Sequence, residues 1–162
     1  MQADKEIFYK NATSKLLKTL ETMHLAPTVL SQAKRTTMLL RNSFQYQDVK
    51  QAAFSADLGD DLSMFTYDSD GFCLVASCSF QQIMNSRDWQ LMYIDEIWTY
   101  GPHHFLRHIP SGTVFDLTFD QYTHYGMTVP YELGRPIKTT KYHKDKASEM
   151  LKFLNRKFLQ KD

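Results

Sequence analysis

No apolar run in the 162 residues approaches the ~18–20 consecutive positions that a membrane-spanning helix needs. Charge of one sign is also missing. Nineteen Lys and Arg stand against 18 Asp and Glu, a formal net charge of +1. With no basic stripe or block, the electrostatic footprint of a nucleic-acid binder is absent. Cysteine is scarce: Cys73 and Cys78 are too few for a disulfide framework and suit free thiols in a reducing compartment. There is no internal repeat and no low-complexity tract. The opening MQADKEIFYKNATSK has acidic residues and no apolar centre, so it does not read as a secretory signal. The expected location is the cytoplasm, where the sequon Asn11-Ala12-Thr13 carries no meaning.

What is present is a folding composition. Apolar residues make up 43% and aromatics 14%, against 23% charged. That matches a globular chain of one domain, long enough to bury a core. Residues 4–24 carry Ile7, Phe8, Leu16, Leu17, Leu20 and Met23 at helical spacing. Pro27 suits the first turn of a second helix reaching about Asn42, and Tyr46 to Ala56 fits a third, so 1–56 form a helical part. GDDLSMFTYDSDG, 59–71, reads as a loop. Its Asp60, Asp61, Asp68 and Asp70 lack the EF-hand pattern, which leaves a solvated acidic loop rather than a calcium site.

Beyond the loop the pattern changes. CLVASCSFQQIMN, 73–85, predicts a helix with Ala76, Phe80, Ile83 and Met84 on one stripe. Strand-like runs follow at 91–98, 103–109 and 113–117, the last two joined through Pro110-Ser111-Gly112 as a hairpin. No periodicity marks the segment through Pro130, Gly134 and Pro136. An amphipathic helix over about 142–160 closes the chain. A helical N-terminal half, then a helix on an antiparallel sheet and a last helix, is an α+β order.

Cys73 stands where DSDGF ends and the apolar helix begins. A thiol there meets the positive end of the helix dipole and unpaired backbone N–H groups, both of which favour the thiolate. Cysteine at a helix start, then histidine and a carboxylate on following strands, is the order of papain-like and transglutaminase-like enzymes. If 110–112 form a three-residue turn, Leu106 pairs with Asp116 and His104 becomes its diagonal neighbour. A two-residue turn shifts the register by one and puts His103 beside Asp116 instead. The first arrangement is favoured, which gives Cys73, His104 and Asp116 as the catalytic set, with His103 and Gln121 secondary. His103 and His108 are expected at the surface or rim, and Cys78, Trp89 and Trp98 as packing residues. A metal site from His104, His108 and Asp116 has suitable ligand types but no zincin-type spacing, and neither a metal nor a cofactor is expected.

From Gly71 to Tyr122 the chain resembles the YunG-like family of small bacterial proteins. The residues that carry the likeness are Gly71-Phe72-Cys73, His104-Phe105, Asp116-Leu117-Thr118 and Gln121-Tyr122. Phe72 stands where the family pattern has glutamine, and Tyr122 where it has phenylalanine. The resemblance implies the cysteine–histidine–aspartate constellation, not a substrate. Without that glutamine, the Cys73 backbone N–H needs another group to complete an oxyanion hole. The expected function is a cysteine hydrolase or acyl-transferase acting on an amide bond of a protein or peptide, with no nucleic-acid or membrane partner. The alternative is a non-enzymatic interaction module on the same fold.

Overall fold

A computed structural model of the protein describes residues 2–58, 71–95 and 102–159. The acidic loop with its four aspartates, Trp98 and the end of the strand expected over 91–98 lie outside the described residues. The first half is helical: α1 (Gln2–Glu21), α2 (Pro27–Ser43) and α3 (Gln47–Leu58). Next come α4 (Cys73–Met84), β1 (Trp89–Ile94), β2 (His103–His108), β3 (Thr113–Phe115) and the short α5 (Asp120–Thr123). A 3-10 turn at Tyr131–Leu133 leads to β4 (Arg135–Pro136), then α6 (Lys141–Leu154) runs into a π-helical turn at Asn155–Leu159. This is an α+β fold.

Helix boundaries follow local chemistry. Pro27 opens α2, where its missing N–H would have had no intrahelical partner. α4 stops at Asn85, which takes the left-handed conformation at φ +45° and donates its N–H to Gln81 O. α6 starts with a capping box, Thr140 bonding the backbone of His143 and the His143 side chain returning to the Thr140 N–H. In α1 the buried stripe is Ala12, Leu16, Leu20 and, just past its end, Met23. Ile7 and Phe8, expected on that stripe, are 59% and 37% exposed, the Phe8 ring lying 4.3 Å from that of His124 instead of in the core.

α4 is the centre of the molecule. Val75 to Phe80 and Met84 are all buried. A helix buried nearly all round must be wrapped by neighbours. Here β1 and β2 cover one side, and α2 and α6 the others.

The sheet is antiparallel in the order β3-β2-β1-β4. Alternation puts Trp89 and Leu91 of β1 on one face with Leu106 of β2 and Phe115 of β3, in the same core as α4. The other face carries Met92, Ile94 and Phe105 into a smaller core with Tyr122 and Val129. β4 was not foreseen. Two residues have no period to read, and Pro136 opposite Met92 closes the edge rather than extending it.

The β2–β3 register corrects the favoured sequence reading. His108 pairs with Thr113 and Leu106 with Phe115, not with Asp116. Gly112 belongs to the closing pair rather than to the loop, donating its N–H to Ile109 O at 3.3 Å with φ +67°. The turn is therefore Ile109-Pro110-Ser111-Gly112, with proline at its second position and glycine at its fourth, where each is favoured.

Phe80 tests the core. It is fully buried, with its ring 4.9 Å from Trp89 and 5.1 Å from Phe115. Phe80→Ala should destabilise the protein by about 3–5 kcal/mol in denaturant titrations. A loss under about 0.5 kcal/mol would be that of a surface position, and the packing described here would be wrong.

Candidate active site

Cys73 is the first residue of α4 and is half-buried. Phe72 before it gives no side-chain cap. The first N–H groups of a helix have no intrahelical partner, so together with the positive end of the dipole they favour negative charge at this position. The first two residues of β2 border the thiol. His104 Nδ1 lies 4.0 Å from Cys73 Sγ. Burial acts to raise the Cys73 thiol, but hydrogen bonding to His103 and to His104, with their charge, holds it down to about 6.

The two histidines differ in what stands behind them. His103 is fully buried, and its Nε2 lies 2.7 Å from Asp116 Oδ2. Its Nδ1 lies 3.0 Å from Gln121 Nε2. Burial opposes charge on this ring, yet the Asp116 carboxylate and then the Cys73 thiolate push it up to about 10. His104 is half-buried, its ring 5.0 Å from that of Tyr93 and 6.3 Å from that of His143. Carried one residue past β3, the register sets Asp116 opposite Phe105 and diagonal to His103. The expected pairing of His104 with Asp116 is therefore replaced by His103 with Asp116, for the reason that the turn is one residue shorter.

Asp116 is held from several sides. Its Oδ1 accepts from Thr118 N at 3.0 Å and from Thr118 Oγ1 at 3.3 Å, while Oδ2 accepts from Tyr131 Oη at 2.8 Å as well as from His103. Burial and the adjacent carboxylate push the Tyr131 hydroxyl up, so it remains a donor. Gly134 helps to set Tyr131: its N–H donates to Tyr131 O, and a Cβ on it would stand 2.6 Å from the Phe105 ring. The run Asp116-Leu117-Thr118 thus has a physical account. Asp116 faces His103, Leu117 is core, and Thr118 fixes the carboxylate.

His108, expected at the rim with His103, is also buried. Its Nδ1 lies 2.7 Å from Ser111 Oγ and its ring 4.9 Å from Trp89, so it closes the hairpin rather than meeting solvent. Cys78 lies in the core, where burial and then the Cys73 charge push its thiol up to about 12. His143 was not singled out from the sequence. It caps α6 and lines a groove of about 960 Å³ whose walls include Gln81, Trp89, Ile137 and Lys144. Tyr131 was missed too, because the segment that holds it has no period and its partner is 15 residues away. No group of three or more His, Cys, Asp or Glu suited to a metal occurs among the described residues.

The arrangement places a thiol held down to about 6 beside the start of a strand that carries two imidazoles, one of which, His103, the Asp116 carboxylate pushes up against burial to about 10. Comparison of the chain with protein-family models, curated proteins and solved structures found no match.

Proposed function

We propose that the protein is a cysteine-dependent amide hydrolase or acyl-transferase that works through Cys73, His103 and Asp116. The observation that carries this reading is geometric: Cys73 at the start of α4 lies against the start of β2, 4.0 Å from His104 Nδ1, where the neighbouring His103 is bonded to the Asp116 carboxylate at 2.7 Å. Against burial, hydrogen bonding and charge from the two histidines hold the thiol down to about 6. The arrangement is of the papain and transglutaminase kind, and the resemblance to the YunG-like family points the same way.

In this mechanism the thiolate attacks the carbonyl carbon of an amide, and the C=O electron pair moves onto oxygen. The tetrahedral adduct collapses as the protonated His103 gives its Nδ1 proton, once the Gln121 amide yields that nitrogen, to the leaving nitrogen, leaving an acyl-thioester and a neutral imidazole still bonded to Asp116 through Nε2. Water or an amine then attacks the thioester, His103 takes the proton, and Cys73 leaves as the thiolate. Water completes hydrolysis or deamidation, and an amine completes transfer. Asp116 orients the ring and stabilises its charged form. A groove of about 960 Å³ runs past His143, whose ring is 6.3 Å from that of His104; its walls do not include Cys73, so it has room only for a part of a peptide away from the reacting amide.

The reading fixes a pH dependence. Iodoacetamide reacts with thiolate, so the Cys73 rate should climb through a midpoint near 6 and level off above neutrality. Cys78, pushed up to about 12, should stay slow throughout that range. Mass spectrometry of the two cysteine peptides after timed alkylation from pH 4 to 10 measures both curves. Equally slow thiols, released only by denaturation, would favour the interaction module instead.

A further inference from the structure

His104 is left without a task once Asp116 is committed to His103. Two histidines border one thiol, and only one can be the base that the carboxylate orients. Among the described residues no carboxylate is seen against His104, whose ring neighbours are Tyr93 and His143. Its backbone is nonetheless fixed to α4, since Ser77 Oγ, one helical turn beyond Cys73, donates to His104 O at 3.4 Å. The result is a placed N–H group near the sulfur with no acid behind it.

Among the described residues one part of such a site is still unassigned. Attack on a carbonyl puts negative charge on oxygen, and a cysteine enzyme stabilises it with a backbone N–H and a second donor from a side chain. The start of α4 supplies the backbone N–H of Cys73, whereas Phe72 has no donor to offer. Resting on the function proposed above, we propose that His104, with its proton on Nδ1, is the side-chain donor of the oxyanion hole. The geometry suits this role. The oxyanion stands one carbon beyond the sulfur, so a nitrogen that makes only a long, 4.0 Å contact with Sγ is within reach of that oxygen. His103 and His104 are adjacent on a strand, so their side chains leave on opposite sides. One serves the proton and the other the charge on oxygen.

Two reagents separate these roles. Iodoacetamide is attacked at its CH₂ carbon and expels iodide, and no charge develops on a carbonyl oxygen. Para-nitrophenyl acetate is attacked at its carbonyl carbon, the C=O pair moves onto oxygen, and collapse expels nitrophenolate and leaves an acetyl-thioester. Wild-type protein, His104→Ala, His104→Gln and His103→Ala are to be compared with both reagents at pH 8, with thermal melts to show that each is folded. For His104→Ala, acylation by the ester should fall about 100-fold, the usual loss on removing one oxyanion donor. Alkylation should change less than about 3-fold, because the thiol stays largely ionised at that pH. His104→Gln, which keeps an N–H donor, should recover most of the ester rate. Equal losses with both reagents would mean that His104 acts on the thiol, and no loss with either would mean that it has no part. Either result overturns the proposal. Failure of the underlying triad would look different: at pH 6, where the intact triad predicts a slower variant, His103→Ala would then match wild type with both reagents.

Discussion

His103→Ala is expected to slow alkylation of Cys73 by iodoacetamide about 20-fold at pH 6, an estimate that balances thiolate population against nucleophilicity. At that pH about half of the wild-type Cys73 is thiolate, its thiol being held down to about 6. Without His103 the thiol rises toward its ordinary value of 9.0, and at that limit roughly one molecule in a thousand is ionised at pH 6. The population ratio is about 500, but a thiolate of lower basicity is also a poorer nucleophile, which takes back a factor of about 20–30 over three units. The sign therefore changes with pH. Near pH 10 both proteins are ionised, and the variant should react as fast as wild type or faster. Asp116→Asn should give a smaller slowing at pH 6, since the ring stays in place and loses only the charge that favours its protonated form. Should His103→Ala keep the wild-type rate at pH 6 while His104→Ala loses it, the base is His104 and the assignment made from the hairpin register fails.

That register marks where the sequence stopped being sufficient. The helix from Cys73, the hairpin and the terminal helix are legible because apolar spacing and turn residues repeat over many positions. The distinction between His103 and His104 rests on a single residue of turn length. Pro110-Ser111-Gly112 reads naturally as the whole loop, and only the Gly112 N–H to Ile109 O bond shows that glycine closes the ladder instead. Since side chains alternate, that one residue decides which histidine Asp116 can meet. Gln121 could be flagged from the run it belongs to, but its contact with His103 Nδ1 could not, because α5 bends it back across the strand. Tyr131 and His143 reach the site from segments far along the chain with no pattern to announce them. Arg41 is the extreme case. On α2 it reads as an ordinary solvated cation, yet it is fully buried, because its partners come from opposite halves of the sequence.

Arg41→Ala should destabilise the protein by about 3–5 kcal/mol, the range for removing one member of a buried ion pair. Its guanidinium meets Asp120 through both terminal nitrogens, NH1 to Oδ1 at 2.7 Å and NH2 to Oδ2 at 2.9 Å. NH1 also donates to Leu117 O, NH2 to Tyr9 O and Nε to Thr13 Oγ1, while the Tyr9 ring stacks 4.4 Å from the guanidinium carbon. Five donors thus have five bonds, and truncation leaves the buried Asp120 carboxylate with only the His124 ring, at 3.8 Å, in place of its bidentate partner. Arg41→Lys should recover little, since an ammonium cannot reproduce the planar fork. A double change, Arg41→Met with Asp120→Leu, removes both charges and should be much closer to wild type than either Arg41→Ala or Asp120→Ala. Urea titrations of the four proteins give the comparison, and a loss under about 1 kcal/mol for Arg41→Ala would show the pair to be solvated. The ion pair bears on the chemistry because Leu117, which Arg41 holds by its carbonyl, follows Asp116 directly. Arg41 ties α1 and α2 to the segment that aims the carboxylate at His103. Folded fractions of Arg41→Lys should therefore show a slower Cys73 at pH 6, in the direction of Asp116→Asn, even after correction for unfolded protein.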